Sequence, residues 1–152
     1  GGDRAHLNYY LNKINSQGNE DGITKKIYDA FTLGRAAIVA KDYDERDKQA
    51  AIVAAEISKV VGYKAFYYIE KGSGYISEGK WAAAHHALSE AYGFILGMQF
   101  TKAADGEPYM TNGEVNTMLD ALAAGNGFWD RTPAELDDMA AQLKTATGLS
   151  SP

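Results

Sequence analysis

From Trp81 to Thr101 the chain reads Trp-Ala-Ala-Ala-His-His-Ala-Leu-Ser-Glu-Ala-Tyr-Gly-Phe-Ile-Leu-Gly-Met-Gln-Phe-Thr, bracketed by Lys80 and Lys102 and carrying one full formal charge, Glu90. A proline-free segment this apolar predicts a helix without a broad polar side, and such a helix has to be covered by other elements. Placed at about 100° per residue, Ala84, Leu88, Ala91, Ile95 and Met98 share one face. His86, Glu90, Gly93 and Gly97 share the opposite one, with Gly79 in line before them, and Trp81, Tyr92, Phe94 and Leu96 fill the flanks. The pattern predicts a helix over 77–102 that is buried on both sides, Leu88 and Ile95 facing one neighbour and Glu90 with the two glycines facing another. A glycine inside a helix is about 1 kcal/mol less favourable than alanine, so Gly93 and Gly97 imply a close approach by a neighbouring backbone.

The rest of the chain supplies further helices. Leu7, Tyr10, Leu11 and Ile14 give a first helix over 4–15, followed by a polar loop over 16–22. The acids and amides of that loop lack the alternating spacing and closing glutamate of a calcium loop. A second helix over 23–41 carries the stripe Ile23, Ile27, Phe31, Gly34 and Ile38, with Arg35 beside it. The alternating charges of 42–48 mark a corner and the solvated start of a third helix, over 45–70. One face of this helix holds Ile52, Glu56, Val60, Tyr63 and Tyr67, the opposite one Ala50, Ala54, Ile57, Val61, Ala65 and Tyr68. Lys71-Gly72-Ser73-Gly74 is expected to end it, glycine being the usual left-handed C-terminal residue. After a loop over 103–113, Thr111 with Glu114 and Thr132-Pro133 with Glu135 are capping boxes. They open two short helices whose buried stripes are Val115, Met118, Leu119, Leu122 and Leu136, Met139, Ala140, Leu143. Gly125-Asn126-Gly127 stops the first and Gly148 the second. The sum is an all-α helical bundle of four main helices plus two short C-terminal ones, a single domain over 1–152.

Composition narrows function by exclusion. The net charge is −5 and the pI about 5.1, with no basic cluster denser than Lys25-Lys26, which argues against a nucleic-acid binder. There is no cysteine, so disulfides, zinc–thiolate centres and cysteine nucleophiles are excluded. No apolar run approaches the roughly 20 residues of a membrane span, and no secretory leader is visible. The Gly1-Gly2 start, without an initiator methionine, is expected of a processed or trimmed chain.

Glu90 is the most informative residue. An unpaired carboxylate inside a core costs several kcal/mol, so it must be paired, protonated or metal-bound. His86 lies one turn before it on the same face, and His at i with Glu at i+4 can share a metal ion or a proton. His85 points about 100° away. A zinc or iron site needs three or more ligands, and Glu56 on the third helix is the candidate for another. The competing reading has Glu90 bonded to His86, Arg35 or a tyrosine such as Tyr63, simply ordering the core. The serines fit no nucleophile elbow and the glycines no phosphate-binding loop. Trp129 reads as a loop anchor on the core, with sugar stacking as the minority alternative.

The segment His86-Ala87-Leu88-Ser89-Glu90-Ala91-Tyr92-Gly93-Phe94-Ile95, with Gly34-Arg35-Ala36-Ala37-Ile38, resembles a family of bacterial cell-envelope lipoproteins of imelysin-like pattern. The resemblance runs from the first helix to about Lys102. It implies a helical fold outside the cytoplasm, periplasmic or outer-membrane-associated. It also implies that this chain is the C-terminal half of a two-part bundle whose N-terminal companion segment or chain bears a related His/Glu helix. A role in iron acquisition is the function so implied, and with the ligands read above, His86, Glu90 and Glu56, it becomes a divalent-metal site for iron or zinc. The alternative is a structural or interaction domain. A peptidase ranks last, because three residues rather than two separate His86 from Glu90 and no His-Glu-x-x-His sequence is present.

Overall fold

The computed structural model describes residues 6–16 and 22–150. Among them are six α-helices and no β-strand: α1 (His6–Ser16), α2 (Ile23–Ala40), α3 (Tyr43–Ser77), α4 (Trp81–Gly97), α5 (Asn112–Ala123) and α6 (Pro133–Thr147). Short 3-10 turns occupy Met98–Phe100 and Gly127–Asp130. The all-α bundle expected from periodicity is therefore the observed class. The chain divides into two compact units, the first comprising residues up to Val60 with Lys102–Glu107, the second Val61–Thr101 with Pro108–Ser151. Helix α3 gives its N-terminal part to the first and its C-terminal part to the second.

In the first unit α1 packs on α2, and Leu11, Ile14, Ile23, Ile27, Ala30 and Ala37 form the core. Residues 4 and 5 of the expected first helix and 17–21 of the polar loop lie outside the described residues. Helix α2 ends at Lys41, held in the left-handed region at φ 60°. Asp42 restarts the chain by accepting the Glu45 N–H at 3.0 Å, which gives α3 its N-terminus. The buried stripe of α2 differs from the expected one. Ala30 and Ala37 are buried, whereas Phe31 and Ile38 are 62% and 52% exposed. Small residues win the contact because they admit a close neighbour: a Cβ built on Gly34 would stand 3.3 Å from the Gln49 Cβ on α3. The large side chains of Phe31 and Ile38 instead border an apolar groove with Ala50 and Val53.

In the second unit α3 is flanked by α4 and α6. It does not stop at Lys71–Gly74 but runs on to Ser77, and the break falls at Gly79, with φ 71°. Gly72 is a packing notch rather than a terminator, since a Cβ there would meet Leu88 of α4. Tyr68 stacks on Phe94 with ring centroids 5.7 Å apart, and Gly97 faces the Val61 side chain. Towards α6, Gly62 faces Thr147, Ser73 Oγ donates to Asp137 Oδ1 at 2.7 Å, and Lys144 pairs with Glu70. Tyr63, Phe66, Ile69, Leu88, Ile95, Leu122, Leu136 and Leu143 are all under 2% exposed and form the centre of this core. Both capping boxes are formed, and all eight apolar residues expected on α5 and α6 are buried.

Helix α4 is shorter than expected, because Gly79 and Lys80 leave helical geometry before Trp81. Its inner face is the expected one: Ala84, Leu88, Ala91 and Ile95 are fully buried. The opposite face is open at His86 and Gly93. His86 and Gly93 are exposed, and no heavy atom lies within 4 Å of a Cβ built on Gly93. Within this unit the second face is covered only in part: Gly97 lies against Val61 and Glu90 is half-buried, while His86 and Gly93 are exposed.

Candidate functional site on helix α4

The helical repeat places His86 and Glu90 one turn apart on the outward face of α4. His86 is exposed and Glu90 half-buried. Glu90 makes no hydrogen bond or ion pair with any described residue. The expected bond from Glu90 to His86 or Tyr63 is absent, so the pair does not order the core by bonding to each other. What remains is a carboxylate and an imidazole presented on neighbouring turns of α4, neither bonded to a described side chain. Ser89 Oγ donates to the His86 carbonyl at 2.7 Å, which uses backbone and leaves the imidazole free.

Glu56 lies in the first unit, on α3, and is 8% exposed. Its Oε1 sits 3.2 Å from Lys59 Nζ and 3.8 Å from Lys26 Nζ. Two ammonium groups neutralise this carboxylate, which gives it a structural reason to be buried. Among the described residues no three His, Asp or Glu side chains stand close enough to share a metal ion. A metal held by His86 and Glu90 would draw its other ligands from water or from outside the described residues.

The more enclosed histidine is His85. Its Nε2 is sealed from solvent and has no hydrogen-bond partner. The imidazole meets the Trp129 indole edge-on, centroids 4.0 Å apart and planes at 86°, with Phe128 at 6.5 Å and Trp81 at 6.4 Å. An edge-on ring at this distance directs its N–H or C–H at the π face, a weak but real compensation for the missing partner. Trp129 does not anchor its loop in the core. It is instead 66% exposed, while Phe128 takes the half-buried place. The spacing Trp81, His85, Tyr92 along one line of α4 was the available signal for this cluster.

A second charged side chain inside the core is not signalled by helical periodicity. Lys64 is fully buried, with its Nζ 4.3 Å from the centroid of the Tyr67 ring. A tyrosine-rich stretch of helix offers such an ammonium a cation–π environment, which explains part of the aromatic density at Tyr63, Tyr67 and Tyr68.

No helix among the described residues is long and apolar enough to cross a membrane. No curated protein and no solved structure matches the chain. The model of one family, a domain of unknown function designated DUF4856, matches residues 2–150, nearly the whole length, and the chain therefore belongs to that family.

Proposed function

We propose that this is a non-enzymatic, extracytoplasmic helical domain of imelysin-like type, belonging to a cell-envelope lipoprotein, that contributes His86 and Glu90 to a divalent-metal site. The observation that carries the reading is Glu90: half-buried, one turn from an exposed imidazole, and without a partner among the described residues. Imidazole with carboxylate suits zinc or ferrous iron. The open surface at Gly93 leaves room for a companion helix bearing the remaining ligands.

Titration calorimetry of the purified chain with Zn2+ and, under anaerobic conditions, Fe2+ tests this. Saturable binding that is lost in both His86→Ala and Glu90→Gln, and kept in Glu56→Gln, is the expected result. Absence of binding, or binding that survives both α4 substitutions, sinks the proposal.

The alternative, a structural or interaction domain, draws support from the large apolar side chains left in water. Within the first unit Tyr28, Phe31 and Val39 are 69%, 62% and 81% exposed, and within the second Phe100 is 76% exposed. Large apolar side chains left exposed mark an interaction face where they adjoin one another on one surface. Concentration-dependent sedimentation that is unaffected by His86→Ala would favour this reading over the metal site.

A further inference from the structure

His85, Tyr92, Phe128 and Trp129 line a cleft of about 300 Å3 in the second unit, with Ala123, Asn126 and Gly127 completing it. Three independent features make this cleft unusual. The first is an aromatic cluster held partly in water: Trp129 is 66% and Tyr92 38% exposed, although each ring would be better covered. The second is the angle between rings. The imidazole crosses the indole at 86° and the Phe128 ring at 53°, so the rings of the cluster do not form one flat platform. The third is how the polar groups are used. Asp130 accepts the Asn126 backbone N–H at 2.8 Å and its side-chain amide at 3.1 Å, which commits both Asn126 donors to that carboxylate.

These features discriminate between ligand classes. A sugar ring would ask for one open aromatic face and several uncommitted hydrogen-bonding groups at its edge. A flat aromatic ligand would ask for parallel walls. A compact cation whose charge is buried under methyl groups asks for neither: it has no N–H to satisfy, and converging π faces attract it from several sides. A carboxylate close by adds long-range attraction. The hydrogen bonds from Asn126 hold Asp130 below the usual carboxylate range, so it stays ionised, and the chain as a whole carries −5. Arg131, next in sequence, is turned to the Ala121 and Ala124 carbonyls and lies near Glu135, which offsets its charge.

We propose that the cleft of Tyr92, Phe128 and Trp129, floored by His85, is a binding site for a quaternary or fully methylated ammonium group. Trp129 and Tyr92 are its exposed aromatic side chains. His85 lies against the indole, ring centroids 4.0 Å apart and planes at 86°, and so holds Trp129 at the edge of the cleft. The site is separate from His86 and Glu90, which lie on another face of α4.

Titrating the full chain with tetramethylammonium chloride and with choline chloride, followed by indole fluorescence and by calorimetry, tests the assignment. Sodium chloride at matched ionic strength and N-acetylglucosamine serve as comparisons. The expected result is saturable binding of both methylated cations and of neither comparison ligand. Trp129→Ala and Tyr92→Leu should each weaken it roughly three- to thirty-fold. Trp129 is largely and Tyr92 partly exposed, so folding should survive, and helical circular dichroism checks this. Asp130→Asn, which keeps the shape of the acceptor and removes its charge, should weaken binding more at low salt than at high salt. No saturable response to tetramethylammonium, an equal response to sodium, tighter binding of the sugar, or binding unchanged in both aromatic variants would each overturn the proposal.

Discussion

Leu88 is seated in the notch left by Gly72: a Cβ on Gly72 would stand 2.5 Å from Leu88 Cδ2 and 2.8 Å from its Cγ. Leu88 is fully buried and has little room to move. Replacing Gly72 by alanine gains up to about 1 kcal/mol of helix propensity but overpacks a filled core at a cost of about 1–3 kcal/mol. The expected net effect of Gly72→Ala is a loss of about 1–2 kcal/mol, read as a lower denaturant midpoint at unchanged slope. A midpoint at or above that of the wild type would show that α3 and α4 are not packed through this pair.

Gly93 is the opposite case. It is helical, exposed, and has nothing within 4 Å of its would-be Cβ. Gly93→Ala should therefore stabilise the chain by about 0.5–1 kcal/mol through helix propensity alone. The same denaturant titration reads it, and a destabilised variant would mean that this face is covered in the isolated chain.

The two capping threonines act independently. Thr111 Oγ1 accepts the Glu114 N–H and Thr132 Oγ1 the Glu135 N–H, each at 3.3 Å, at the starts of α5 and α6. Thr111→Ala and Thr132→Ala should each lose about 1 kcal/mol, and the double variant about the sum, because the caps share no partner. Strong non-additivity in thermal or chemical melts would show that the two helix starts unfold as one coupled element.

Acid should weaken the same helix starts. The Thr111 hydroxyl and then its backbone N–H hold Glu114 below the usual glutamate value of 4.5. The Thr132 backbone N–H and then its hydroxyl do the same for Glu135. For a group whose pKa is lower folded than unfolded, the stabilising contribution is complete above the unfolded value and is lost as pH falls through the folded one. The contribution of these two groups should thus be flat above about pH 5 and decline below about pH 4.5. Thermal melts between about pH 3 and pH 7 check this, and Glu114→Gln with Glu135→Gln should flatten the acid limb. An acid limb unchanged in that double variant would assign it to other carboxylates.

Glu56 is held by charge in a place where water is scarce. Glu56→Gln keeps the volume but removes the counter-charge of Lys59 and Lys26, so a loss of about 1–3 kcal/mol is expected. Lys26 is half-exposed, and Lys26→Met should cost less than about 1 kcal/mol. Chemical denaturation compares the two, and a neutral Glu56→Gln would remove the structural account of this buried acid.

Much of this architecture is legible in the linear chain, and the parts that are not share one cause. The helix starts at Thr111 and Thr132 depend on groups three residues apart, so local chemistry specifies them. The stripes Val115-Met118-Leu119-Leu122 and Leu136-Met139-Ala140-Leu143 are equally local, because a periodicity of 3.6 residues decides which side chains share a face. The inner face of α4, from Ala84 to Ile95, follows from the same rule. Periodicity does not say which face meets a neighbour, or how near the neighbour comes. On α2 the large residues Phe31 and Ile38 looked like the core, yet Ala30, Gly34 and Ala37 are buried, because α3 approaches too closely for a larger side chain. Gly72 looked like a helix stop and is instead a seat for Leu88, sixteen positions away in sequence.

The histidines show the same division. Composition alone singled out Trp81–Thr101 as the apolar helix the chain is built around, with Glu90 as its lone charge. Tertiary structure left His86 in water and enclosed His85, because the turn carrying Phe128 and Trp129 returns over one flank of α4 and not over the other. Local hydrogen bonding and apolar spacing are written in neighbouring residues. The covering of a helix face depends on segments dozens of residues away, and only packing of the folded chain brings those together.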